Sequence, residues 1–377
     1  MKPIKNLFLI FILIFGSVFI PMGKNIFTGK KVLFNERGSF GVNVIAAVTR
    51  YGKSSLVKLL YVMISKHRPV LVFDYRGEHI DSMYSNFKSR DYIAGVNNLT
   101  ILEDFGFMIS DFTSVSDWRS LGFASKGALM MSELSRRVDI HKNDPDIFYR
   151  LLLDLPDTNE EITAFNDKYK HLNLSYENRI NSSSKDSIVN SFRFTMKSGI
   201  FIYPDELEDG TKNYIEDFGR YMYEHRNVIV NLKMNELDEF IAKAYAGKLL
   251  EQLAPWLTLI KPCIILEEAD ILVPNVVDRD DQPSSLTQAI KYVIKLQKYN
   301  PELFFICQDL GRLNSTVVGN AHTLILGQMP DDTYSKYREH TQDLRWEHDD
   351  NYREFAVVTK GRKWVEKMVP LDCPCKS

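Results

Sequence analysis

A lysine, a serine, two adjacent glutamates and a glutamine are the residues of this chain whose types and spacing suit joint chemistry. The first two lie in Ala47-Val48-Thr49-Arg50-Tyr51-Gly52-Lys53-Ser54-Ser55. A loop of this kind turns backbone N–H groups onto phosphate oxygens at a helix N-terminus, where the dipole favours an anion. Thr49, Arg50, Tyr51, Gly52, Lys53, Ser54 and Ser55 are thus the candidate nucleotide-binding residues. Lys53 is placed to reach the β- and γ-phosphates of ATP, and the Ser54 hydroxyl to join the shell of a Mg2+ ion. Gly-Lys-Ser alone occurs often by chance, so its strand and helix context must decide. The first glycine of the usual G-x-x-x-x-G-K-[ST] pattern is Ala47 here, which is tolerable if its φ stays negative.

The glutamates end the apolar run Cys263-Ile264-Ile265-Leu266-Glu267-Glu268-Ala269-Asp270. One carboxylate at a strand's C-terminal edge can hold a metal-bound water, and the next can polarise an attacking water. Glu267 is the metal-side candidate, although aspartate is commoner there, and Glu268 is the catalytic candidate. The glutamine closes Phe304-Phe305-Ile306-Cys307-Gln308. Its neutral amide can donate to a γ-phosphate and accept from water, so Gln308 is a candidate sensor of hydrolysis.

These groups meet only if strands carry them to one edge. Short apolar runs with helical stretches between them predict an α/β fold with a mainly parallel sheet, and ligands of such sheets gather at the carboxyl ends of the strands. The expected strands are Val42–Val48, Val70–Phe73, Val228–Leu232, Cys263–Leu266, Leu303–Cys307 and Thr323–Leu326. A closing hairpin is expected from Phe355–Val358 and Trp364–Val369 about the turn Thr359-Lys360-Gly361-Arg362. A helix with apolar positions Leu56, Leu59, Leu60, Met63 and Ile64 follows Lys53. Between about Ser114 and Glu224, helical spacing in Ala128–Val138 and Asp146–Leu153 predicts an insertion, with Asn181-Ser182-Ser183-Ser184 reading as a break.

The expected organisation is an apolar N-terminal segment (1–23), a first core part (24–113), a mainly helical insertion (114–224), a second core part (225–330) and a C-terminal helix and hairpin tail (331–377). With 47 basic and 49 acidic residues, a net charge of −2 argues against a generally basic nucleic-acid coat. It leaves room for a local basic patch. Lys291, Lys295 and Lys298 recur at helical spacing, for which a solvated face is the default reading. Four cysteines are too few for a disulfide framework, and the Cys373/Cys375 pair lacks two further ligands for zinc. A reduced, cytoplasmic setting fits best. From Asn6 to Gly23 the chain carries no charge, about the minimum length for a membrane-spanning helix, so association through residues 7–22 is one reading. An apolar strand that joins the core and upstream sequence before a start at Met22 are the others.

On these motifs and their order the chain resembles the HerA/FtsK superfamily of ATP-driven DNA pumps. The resemblance rests on Ala47 to Ser55, on Val72-Phe73-Asp74-Tyr75-Arg76-Gly77-Glu78, on Leu266-Glu267-Glu268-Ala269, and on Gln308 followed by Val317 to Thr323. It implies a RecA-like sheet, a homo-hexameric ring with ATP at subunit interfaces, and translocation of double-stranded DNA; a partner nuclease is a further candidate. Two features depart from that pattern. Only about 40 residues precede the phosphate loop, where the HerA group usually has a β-barrel. The family's Gly-Arg before the glutamine strand is matched by Leu296-Gln297, followed by Lys298, with Arg312 and Arg338 as alternative fingers. An apolar N-terminus with a helical insertion also resembles conjugative coupling ATPases, and the lack of a barrel resembles viral packaging ATPases. The expected function is ATP-driven DNA translocation. The alternative is a nucleotide-gated membrane-associated or regulatory ATPase, the coupling type included.

Overall fold

The computed structural model describes residues 19–25, 31–35, 41–77, 99–137, 144–172, 180–232, 239–275, 302–329, 337, 344, 354–360 and 366–370. The strands are β1 (Phe19–Asn25), β2 (Lys31–Asn35), β3 (Val42–Ala46), β4 (Val70–Asp74), β5 (Leu99–Leu102), β6 (Phe105–Gly106), β7 (Asn213–Tyr214), β8 (Asn227–Asn231), β9 (Cys263–Leu266), β10 (Glu302–Cys307), β11 (Ala321–Leu326), β12 (Phe355–Thr359) and β13 (Glu366–Pro370). Eleven of them form one sheet in the order β2-β1-β13-β12-β11-β3-β10-β9-β4-β8-β5. Every pairing from β11 through to β5 is parallel; those from β2 to β11 are antiparallel. This is an α/β fold of the RecA-like P-loop type.

Both faces of the parallel strands are covered, which is why they read as unbroken apolar runs rather than alternating ones. The period of two is still visible in where each side chain goes. Val70 and Val72 of β4, with Phe304 and Ile306 of β10, pack into one core beside helix α1 (Lys53–Ile64). Leu71 and Phe73, with Leu303, Phe305 and Cys307, pack into the other, against the buried helix Glu239–Leu253. Fully burying one such Leu, Val or Phe contributes about 1.5–3 kcal/mol.

The helical region is the crossover between neighbouring strands, because β5 and β8 pair in parallel. Its helices include Val115–Ser120, Ser125–Arg137, Pro145–Leu153 and Ser182–Lys197. They close on an aromatic cluster in which Trp118 meets Phe112, Phe123, Phe148, Phe192 and Phe201 at centroid distances of 5.3–6.3 Å. The Trp118 indole N–H donates to the Phe112 carbonyl at 2.7 Å, so the ring is buried without stranding its polar atom.

Two expectations change. Asn181-Ser182-Ser183-Ser184 is a helix start rather than a break: Asn181 Oδ1 accepts from the Ser184 N–H at 2.7 Å, and the serines form the first turn. Strands β2 and β5 were not expected, whereas an apolar strand joining the core was one reading of the N-terminal run. The end of the uncharged N-terminal run, Phe19 to Gly23, lies in β1, which pairs with β2 and β13, and Met22 is buried. Residues 7–18 lie outside the described residues. Among the described residues no helix is long and apolar enough to cross a membrane. The closing hairpin joins the main sheet, because β12 pairs with β11.

Candidate active site

Strand order explains the site. Because β10 pairs with β3 on one side and β9 on the other, its end stands between the loop after β3 and the acids after β9. Next to β9 comes β4, which ends at Asp74. Thr49, Arg50, Gly52, Lys53, Ser54, Ser55, Asp74, Arg76, Glu267, Glu268 and Gln308 together line a cavity of about 440 Å³ at this edge.

The loop is shaped by its backbone. Gly52 has φ 95° at the cap of α1, a value that favours glycine, and Arg50 has φ 64°. Ala47 has no positive φ, so the missing first glycine costs no strain, and its N–H donates to the Cys307 carbonyl at 3.3 Å. The first turn of α1 carries no acid, which leaves its positive end unopposed. Lys53 Nζ donates to the carbonyls of Ala47 at 2.6 Å and Val48 at 3.0 Å. Burial pushes this ammonium down, and the carboxylates of Glu268 and Glu267 act against that effect.

At the ends of β3, β10, β9 and β4 the side chains form one polar chain. The Thr49 hydroxyl donates to Gln308 Oε1 at 2.8 Å. Gln308 Nε2 donates to both oxygens of Glu268, at 3.0 and 3.1 Å. Arg76 Nε meets Glu268 Oε1 at 2.9 Å. The acceptor-only carboxylate takes the Nε2 end, so the Gln308 amide faces its oxygen to the Thr49 hydroxyl, which donates to it. Glu268 itself is left-handed, with φ 47° and ψ 48°, at the start of the short helix Ala269–Leu272. Burial pushes its carboxyl above the usual range, while Gln308, Arg76 and Lys53 pull it back. Such a carboxylate, held at a strand end within one cavity with a lysine, suits the polarisation of a water.

Glu267 and Asp74 are buried, and the Glu267 N–H donates to the Phe73 carbonyl at 3.1 Å, tying β9 to β4. Their carboxylates and the Ser54 hydroxyl are oxygen donors among the lining residues, the donor chemistry that Mg2+ prefers.

Lys53, Ser54, Glu267, Glu268 and Gln308 are therefore brought together, with Thr49, Arg50, Gly52 and Ser55. Tyr51 is not: its ring packs edge-on against Phe355, and its hydroxyl donates to the Glu354 carbonyl at 2.6 Å. The loop is anchored through this side chain, and a Cβ on Gly327 would lie 2.4 Å from the ring. Sequence reasoning gave Asp74 and Arg76 no role; the polar turn at the end of a parallel strand was the signal for both. Arg312 is exposed, with its backbone N–H donating to the Asp309 carbonyl. Glu78, Lys291, Lys295, Lys298, Arg338, Cys373 and Cys375 lie outside the described residues.

No family model matches the chain, and no curated protein matches it. Solved structures do. VirB4 of Thermoanaerobacter pseudethanolicus is 13% identical with a TM-score of 0.59, over 95% of this chain and 97% of that one. The plasmid coupling protein TrwB in complex with ADP and Mg2+ is 13% identical with a TM-score of 0.57, over 95% of each chain. TrwB with the ATP analogue ADPNP gives 13% and 0.56, over 91% of this chain and 87% of that one. At such identity the likeness is one of fold.

Proposed function

We propose that this chain is an ATP-hydrolysing motor that moves DNA. The observation that carries the ATPase part is the convergence of Lys53, Glu268 and Gln308 on one cavity at the N-terminus of α1. In this reading the loop N–H groups and Lys53 hold the β- and γ-phosphates. Ser54 and Glu267 would hold Mg2+, which supplies neutralising charge to the phosphate oxygens when bound. Glu268 orients and polarises the attacking water, and Gln308, fixed between Thr49 and Glu268, distinguishes a γ-phosphate from its absence. Removing the contribution of Glu268 is expected to lower turnover about 10²-fold or more.

The DNA part is supported by the resemblance of the motifs to ATP-driven DNA pumps and by the shared fold with a plasmid coupling protein. A homo-hexameric ring belongs to the same reading. Purified protein should hydrolyse ATP faster with duplex DNA than without it, at several salt concentrations because phosphate contacts are salt-dependent. One rate in all cases removes the DNA-motor reading and leaves an ATPase. A slow, DNA-independent regulatory ATPase is the second reading, favoured by the chain's net charge of −2. Electron microscopy with nucleotide separates them, since a six-membered ring excludes a monomeric or dimeric switch.

A further inference from the structure

Arg76 follows β4, and Glu268 is its ion-pair partner at 2.9 Å among the described residues. Its side chain is 44% exposed, so the pair is not a buried structural necessity, and a screened ion pair of this kind adds little to stability. Yet it is made to the one carboxylate that the proposed reaction needs free. Arg76 also lines the same cavity wall as Lys53 and Ser54. A guanidinium has five donors in a planar fork that matches phosphate as well as carboxylate, and in this pair Nε lies 2.9 Å from Glu268 Oε1.

We propose that Arg76 is a positioning residue for hydrolysis that trades partners: it holds Glu268 when the cavity lacks a γ-phosphate and turns to the γ-phosphate when a triphosphate binds, leaving Glu268 to the water. The cation is supplied in cis, by the same chain that provides the phosphate loop. This rests on the reading of the cavity as an ATP site. Gln308 keeps its hold on Glu268 through the exchange, so the carboxylate is released from one partner without losing its orientation. The exchange swaps one ion pair for another, with no covalent change and no proton moved.

The test compares binding of AMP-PNP and ADP, each with Mg2+, by titration calorimetry in wild type, Arg76→Ala, Glu268→Gln and the double variant. Arg76→Ala should weaken AMP-PNP by about tenfold, the value of one charge-assisted hydrogen bond, and leave ADP within about twofold. Unchanged ADP affinity also shows that the variant is folded. Glu268→Gln weakens the pair from the other side, so it should tighten AMP-PNP more when Arg76 is present than in the Arg76→Ala background. Arg76→Lys should restore part of the loss, since it keeps the charge without the fork. Equal tightening in both backgrounds, or equal loss of AMP-PNP and ADP in Arg76→Ala, overturns the exchange while the ATP site stands. Wild type that binds neither nucleotide overturns both.

Discussion

At the carboxyl edge of β3, β10, β9 and β4, four polar side chains meet one another; in the helical crossover between β5 and β8, Trp118 meets five aromatic rings. The edge accepts local cost. Arg50 and Glu268 are left-handed without being glycine, and Asp270 keeps a buried oxygen with no hydrogen-bond partner. The crossover carries left-handed non-glycine residues only at its two ends, Asp104 and Arg226, while inside it the indole N–H is satisfied and Asn181 caps the longest helix. The contrast is one of polar contacts at the edge against aromatic packing in the crossover, where burial of large rings contributes most to stability.

Substitutions can break that contrast or sharpen it. The largest effect is expected from Phe192→Ala, which should cost about 3–5 kcal/mol in chemical denaturation, because a fully buried ring leaves a cavity. Nucleotide affinity measured below the unfolding transition should be unchanged; a parallel loss would show the two regions to be one energetic unit. Glu268→Gln comes next, with kcat for ATP falling about 10²-fold, or about 2.7 kcal/mol, and little change in stability. Full turnover would remove Glu268 from the mechanism. Glu268→Gly should abolish turnover yet stabilise the fold by about 1 kcal/mol, since glycine takes a left-handed φ without the side-chain penalty. A destabilised glycine variant would mean that the Gln308 and Arg76 contacts outweigh backbone strain. The smallest is Asn181→Ala, at about 1 kcal/mol, read as a lower thermal midpoint with ATP turnover intact.

Much of the edge was legible because its residue types are rare in their positions. A lysine after glycine at a strand–helix junction, two acids after an apolar strand and a glutamine ending another are visible without any knowledge of pairing. Their adjacency was less legible, since β10 lies between β3 and β9 against chain order. Arg76 lay in the segment Val72 to Glu78 on which the resemblance rests, but only the placement of β4 beside β9 brings it to Glu268. Tyr51 went astray for a local reason: a loop side chain can face phosphate or core, and Phe355, some 300 residues onward, decides which. In the N-terminal run, hydrophobicity alone does not tell a strand from a helix, and the pairing of β1 with β13 depends on residues at the far end of the chain.

The position of β10 has a consequence for folding. Thr49 and Gln308 are 259 residues apart in sequence, and the contact between them forms only once β10 has inserted beside β3. Loop closure over such a span is slow and is not rewarded until the partners meet. A sheet that has paired β4, β8 and β9 but still lacks β10 has its acids and no complete phosphate site. On the proposed function ATP would then be a ligand of the finished sheet alone, and at about a hundred times its dissociation constant it would add about 2.7 kcal/mol to that state. On that reading, nucleotide binding by a newly made chain would mark the insertion of the central strand as complete.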